Sequence, residues 1–248
     1  MPLPRIGPAA PLALSCVALA LLALAPLGAR LGWWQYPFGL YRLIPASGFV
    51  AVAAVILAVV VLARERSRLR LRGLVMLSVA VVIGAVLVYM PWHYARVRNS
   101  LPRIHDISTD LANPPAFSAL LTVRAAERAN SVDDRSAQLA QQQKASYPDV
   151  EPLVTALPVA KAFDAALRAA QAMPGWSIVA ADANSGRIEA SEQSRWFRFT
   201  DDVVIRVAGD GDGSRIDVRS VSRQGRSDYG VNAARIRAYM DALRKRIG

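Results

Sequence analysis

The chain has 248 residues, 30 of them basic and 19 acidic, a net charge of +11 and 53% hydrophobic composition. Residues 1–98 hold ten basic residues and a single acidic one, Glu65, whereas residues 99–248 hold twenty basic and eighteen acidic. The excess charge therefore sits beside apolar segments, and the nearly neutral downstream part is a poor match for the basic face that nucleic-acid binding requires.

Three runs, 6–29, 43–63 and 73–92, carry no charge, and each reaches the ~20 residues that a helix needs to cross hydrocarbon. Because lipid offers the backbone no hydrogen-bond partners, these runs are expected to be transmembrane helices, at about 9–29, 43–63 and 73–92, within a membrane domain 1–98. Small Ala23 and Ala25 also allow a cleaved signal peptide in the first run, but its apolar stretch is longer than such peptides need. Arg64, Arg66, Arg68, Arg70 and Arg72 crowd the short second loop, and short loops this basic stay cytoplasmic. The implied location is a bacterial inner membrane, with a cytoplasmic N-terminus and a periplasmic C-terminal domain. Trp33, Trp34, Tyr36, Phe38 and Tyr41, together with Tyr89, Trp92 and Tyr94, would then share the outer interface. Arg96, Arg98 and Arg103 argue mildly for the reverse.

The extramembrane part, 99–248, divides into 99–146, a strap with short helices, and 147–248, a sheet with two helices. In the strap, Pro114 and Pro115 impose extended backbone, and Asp106, Asp110 and Asn113 favour turns. Short helices are expected at 118–128 and 136–145. A strand at 150–155 precedes Pro158, which suits a helix start, and Val159, Phe163, Leu167 and Ala170 make that helix's apolar stripe. Strands follow at 176–181, 187–194, 196–207 with a break at Asp201, and 215–222. Asn-Ser-Gly at 184–186 and a Gly/Asp-rich turn at 209–213 separate them. A last helix at 230–246 shows Ile236, Tyr239, Met240, Leu243 and Ile247 on one face, with Ser227 or Asp228 as cap. The expected fold is an α-helical membrane anchor plus an α+β domain, with an antiparallel sheet of four to five strands and helices on one face.

Chemistry-bearing residues concentrate in the last two strands and the turn after them. Alternation puts Phe197, Phe199, Val203, Ile205 and Val207 on one side and Arg198, Asp202 and Arg206 on the other; Asp217, Arg219 and Arg223 point the same outward way. The row reads either as a salt-bridge lattice on a solvated face or as a cationic surface for an anionic headgroup or acidic partner. In the stretch 220–236, Gly225 permits positive φ, and Arg223, Arg226, Ser227 and the helix N-terminus resemble an anion cradle. The same stretch also reads as a capped turn, with Asp228 on the free amides and Asn232 and Arg235 tying it to the sheet.

Elsewhere the chemistry is sparse. Cys16 is the single cysteine, so no intrachain disulfide forms. His93 and His105 lack Cys or carboxylate partners at ligand spacing, so neither metal nor cofactor is expected. There is no GxSxG or HExxH sequence, and adjacent Asp201 and Asp202 face opposite ways on a strand, so no catalytic residues are assigned.

FTDDVVIRV, IDVRSVSRQGRSDYGVNAARI, IHDISTD, NPPAF and YPDVEPL together resemble the bacterial and plastid family called domain of unknown function 1499, over about residues 104–247. The resemblance implies an envelope or lumen-like location and no assigned activity. The functional expectation is a non-enzymatic envelope protein whose outer domain binds an anionic ligand or a protein partner. Alternatives are an accessory subunit of a membrane complex, or an unrecognised hydrolase.

Overall fold

The computed structural model describes residues 6–133 and 136–248. The expected side of the N-terminus falls on residues outside that range, and the side chains of Tyr94 and Arg98 are likewise not described. The chain divides into two compact units: residues up to Asn99 with Arg195–Arg198, and Ser100–Ser194 with Phe199–Gly248.

In the first unit, α1 (Ala9–Arg30) is followed by a short helical turn α2 (Tyr36–Phe38). A π-helical turn (Gly39–Leu43) then leads into α3 (Ile44–Glu65), and α4 (Leu71–Ser100) completes the unit. Three segments are long and apolar enough to cross a membrane: Ala9–Arg30, Tyr36–Glu65 and Leu71–His93. Small side chains bring the helices together, with Ala18, Ala51 and Leu87 in one buried cluster and Ala58, Val61 and Leu77 in another. Ser47 Oγ donates to the Ala18 carbonyl at 2.8 Å and Ser15 Oγ to the Ala80 carbonyl at 3.1 Å. Both hydroxyls are thereby satisfied away from water.

The second unit runs β1 (Asp106–Ser108), α5 (Leu121–Ala126), α6 (Ala137–Ser146), β2 (Leu153–Thr155), α7 (Val159–Gln171), β3 (Trp176–Asp182), β4 (Arg187–Gln193), β5 (Thr200–Asp210), β6 (Gly213–Ser222) and α8 (Val231–Ile247). The sheet has six strands, in the order β1-β6-β5-β4-β3, with β2 also pairing β6. All pairings are antiparallel, and β1 and β2 take different stretches of the same β6 edge. Helices α7 and α8 cover one face through Phe163, Ala166, Ile236, Tyr239 and Leu243, packed on Ile188, Val203, Ile205, Ile216 and Val218.

Several expectations need correction. The strap supplies a strand, β1, and its following residues cover the second face of the sheet, where Phe117 and Leu120 pack on Val204 and Val221. The first expected helix is confined to Leu121–Ala126, and the strand expected at 150–155 to Leu153–Thr155. The strand expected from 196 begins at Thr200. Before it, Ser194 and Phe199 close a loop through two hydrogen bonds of 2.7 and 2.8 Å, and Arg198 takes φ +58°. Phe197, Arg198 and Phe199 thus do not join the alternation, whereas Val203, Ile205 and Val207 do.

Candidate functional site

The outward row of charges is an internal layer. Asp202 is fully buried, and it receives Arg124 at 2.6 Å, Arg223 through Nε and Nη2 at 2.8 Å each, and the Ser191 hydroxyl at 2.6 Å. Arg223 also reaches Glu127 at 2.8 Å. Its guanidinium is pushed above the usual arginine range, first by its hydrogen bonds to Asp202 and then by those to Glu127, against the opposing effect of burial.

Two strands' spacing away, Asp106 of β1 grips Arg219 in a fork of 3.0 and 2.8 Å. Two further Arg219 N–H groups go to the carbonyls of Pro115 and Val132, at 3.2 and 2.5 Å. The Phe117 ring lies 5.5 Å from the Arg124 guanidinium and 5.7 Å from that of Arg219, within cation–π range of both. Nearer the far end of β6, Asp217 takes Arg206 at 2.9 Å and Arg215 at 3.1 Å, and Asp110 shares both arginines. Burial pulls the Asp110 carboxyl upward, but the amides of Asn113 and Ala112 and the two guanidiniums outweigh it, so the net shift is downward. Glu189, fully buried, accepts the backbone amides of Ser118, Ala119 and Leu120 at 2.7, 3.1 and 2.9 Å. It thus holds the turn leading into α5.

These contacts correct the placement expected for Arg219 and Arg223, which are 4% and 6% exposed and already engaged by carboxylates. Arg206 is half-buried over Asp217. The reason lies in the strap: it contributes Asp106, Asp110, Arg124 and Glu127, and its carbonyls fill the guanidinium donors that the carboxylates leave. Asp106 and Asp110 were legible only as turn formers. Alternation along β4 puts Glu189 on the face opposite Ile188 and Ala190, paired with Val204, but carries no sign that the strap covers that face.

The turn between β6 and α8 is closed in the same way. Gly225 takes φ +89°. Asp228 accepts the amides of Gly230 and Asn232 at 2.9 Å each, so the helix N-terminus already holds an internal anion. Burial raises the Asp228 carboxyl above its ordinary value; the amides of Gly230 and Asn232 oppose this, and Asp201 adds to it. Asn232 donates to the Ser222 hydroxyl and the His105 carbonyl at 3.0 Å each and accepts from Ser220 at 2.7 Å. Arg235 reaches Glu192 and Asp201, both at 2.6 Å. Ser227 Oγ contacts the Pro102 carbonyl at 3.4 Å, whereas Arg226 and Arg198 are exposed to solvent. The expected cradle is therefore corrected: Arg223 and the helix amides lie in separate, occupied contacts, and only Arg226 of that group faces water.

Among the described residues, no group of three or more His, Cys, Asp or Glu is placed to hold a metal ion. A groove of about 310 Å³ beside α8 is lined by Asp149, Val150, Ile236, Arg237 and Met240, with Arg237 forked onto Asp149 at 2.5 and 2.7 Å. Chemically, the charge layer locks strap to sheet.

Compared with curated proteins and with solved structures, the chain finds no significant match. A family model described as "Protein of unknown function (DUF1499)" matches residues 106–243, more than half of the chain. That match runs from the first strap carboxylate to the last core leucine of α8, and the chain belongs to this family.

Proposed function

We propose that this protein is a non-enzymatic component of a bacterial inner membrane, whose periplasmic DUF1499 unit serves as a rigid platform for a partner in a membrane assembly. The observation that carries the reading is the fate of the arginine-rich stretch: Arg219, Arg223 and Arg235 each close on buried carboxylates. A layer satisfied in this way holds a surface in one shape, which suits a docking platform better than a mobile catalytic loop. The orientation rests on the arginines of 64–72, which favour the cytoplasmic side.

Exposed Arg226, beside the Gly225 turn, favours a second reading in which the platform engages an anionic group on the partner or on a lipid. Extraction of the tagged chain from native membranes in mild detergent, followed by native electrophoresis, tests the assembly. The expected result is migration well above the 26.8 kDa chain in its micelle, collapsing to the single chain when the extract is treated with harsh detergent. A single-chain species in mild detergent would refute the accessory reading.

A further inference from the structure

α3 ends at Glu65 and α4 begins at Leu71, so a five-residue joint carries Arg66, Arg68 and Arg70, with Arg64 and Arg72 on the flanking helical turns. All five are exposed, and Glu65 is the one carboxylate among them, 4.0 Å from Arg68. The net charge of the hairpin tip is thus +4, from five arginines and one glutamate.

The tip is an ordered turn. The amides of Arg68 and Leu69 donate to the Glu65 carbonyl at 2.8 and 3.1 Å, and Leu69 packs against the buried cluster of Ala58, Val61 and Leu77. With Leu69 turned inward, Arg68 and Arg70 project to solvent. The start of α1 lies at the same end, since a Cβ on Gly73 would sit 3.3 Å from the Pro8 ring. The N-termini of α1 and α4 add partial positive charge at this end, one of them offset by the C-terminus of α3, so the tip stays cationic through its arginines.

Depth narrows the choice of anion. At ~1.5 Å per residue, the 22 residues of α3 span roughly the ~30 Å of a hydrocarbon core, which puts the tip at headgroup level. Directly below it, between α3 and α4, runs an apolar groove of about 360 Å³ lined by Ala58, Leu62, Leu74, Leu77 and Val81. A cationic rim above an apolar groove matches a molecule with a phosphate head and an acyl tail.

We propose that the α3–α4 hairpin tip binds one anionic phospholipid, its phosphodiester oxygens held by the guanidiniums of Arg66, Arg68 and Arg70 and an acyl chain seated in the groove. Planar guanidinium forks match phosphate oxygens. The proposal rests on these helices spanning a membrane, which an alkaline carbonate wash of native membranes checks separately: release of the protein would overturn the spanning reading and the lipid site with it.

The lipid test uses the full chain in nonionic detergent, offered phosphatidylglycerol and phosphatidylcholine with identical acyl chains in equal amounts, with bound lipid counted by native mass spectrometry. Phosphatidylglycerol adducts should dominate. R66Q/R68Q/R70Q should weaken them by about fivefold per arginine removed at low salt, while phosphatidylcholine adducts stay unchanged. R66K/R68K/R70K should keep a preference for phosphatidylglycerol, which separates lost charge from a broken turn. Removing equal charge elsewhere, with R244Q/K245Q/R246Q at the exposed end of α8, should leave the adducts intact. Equal binding of both lipids by the wild type, or adducts that survive the triple glutamine change, would overturn the site. Displacement of the lipid by inorganic phosphate, compared with chloride at equal ionic strength, would overturn the lipid assignment in favour of a free phosphate.

Discussion

Replacing Arg219 by glutamine should unfold the DUF1499 unit far more readily than removing a surface charge. The guanidinium forms two charged hydrogen bonds to Asp106 and two more to the carbonyls of Pro115 and Val132, and it lies near the face of Phe117. Glutamine is shorter and uncharged, so Asp106, 4% exposed, would keep its charge while losing the guanidinium fork that neutralises it. Breaking a buried pair from one side costs about 3–5 kcal/mol, whereas an exposed pair contributes about 0–1 kcal/mol. Against a total domain stability of roughly 5–15 kcal/mol, the loss is severe and should lower the melting temperature by about 10 °C or more. The assay is urea and thermal unfolding of the 99–248 fragment, which contains the main core cluster in full. Pairing the change with Asp106→Asn should recover much of the loss, because neither charge is then stranded. A drop below ~1 kcal/mol for Arg219→Gln alone would refute the closed layer and return Arg219 to the set of ligand-accessible cations.

Further outcomes follow from other contacts. Gly186 takes φ +64°, and a Cβ there would meet the Val207 carbonyl at 2.0 Å; Gly186→Ala should therefore cost about 2 kcal/mol or more in the same unfolding assay, and a neutral result would refute the tight β3–β4 turn. For Asp228, whose folded carboxyl is raised chiefly by burial, the native state holds the proton more tightly than the unfolded one. Its contribution is therefore fully present below the ordinary carboxyl value and is lost as pH rises through the raised folded value. Asp228→Asn should flatten the slope of stability with pH in that window, even though it weakens the cap, and an unchanged slope would refute this assignment. Asp110, lowered on balance, acts in the opposite window: its contribution is present above the ordinary value and lost as pH falls through the lower folded one, so Asp110→Asn should reduce the acid-side loss. For topology, a reporter active only in the periplasm should work when fused after Gly248 and fail within 64–72; the reverse pattern would place the DUF1499 unit in the cytoplasm.

The spans, β3 to β6, and helices α7 and α8 were legible because each carries a periodicity set by its own backbone: unbroken apolar length, alternation, or a helical stripe. β1 and β2 were harder to read. A three-residue strand such as Asp106–Ser108 shows no period, and its pairing with Arg219–Val221 is a long-range event more than a hundred positions away. The same distance hid the site. Alternation correctly put Asp202, Asp217, Arg219 and Arg223 on one face, but alternation reports only which face a side chain takes, never what covers that face. Charged residues on a strand are usually solvated, and here the cover is a segment whose prolines and turn-forming aspartates signal irregular backbone.

Residues visible in the chain nevertheless point to a covered face. First, Phe117, Leu120 and Val132 need an apolar partner, and the helix-covered face of the sheet already has α7 and α8; Val204 and Val221, on the charged face, are the partners they find. Second, the strap holds Asp106, Asp110 and Glu127, and each of them closes on an arginine of β5 or β6 or of the residue just beyond. An apolar pair embedded in a row of complementary charges cannot remain solvated without leaving both the valines and the strap's aromatic exposed. The closed arrangement buries the apolar groups and satisfies the charges in a single step, so the long arginine-rich motif and the upstream IHDISTD and NPPAF segments act as two halves of one structural device. A ligand or partner of the DUF1499 unit must then meet surfaces outside that device, such as Arg226 and the groove beside α8, unless its binding energy exceeds the cost of opening the strap.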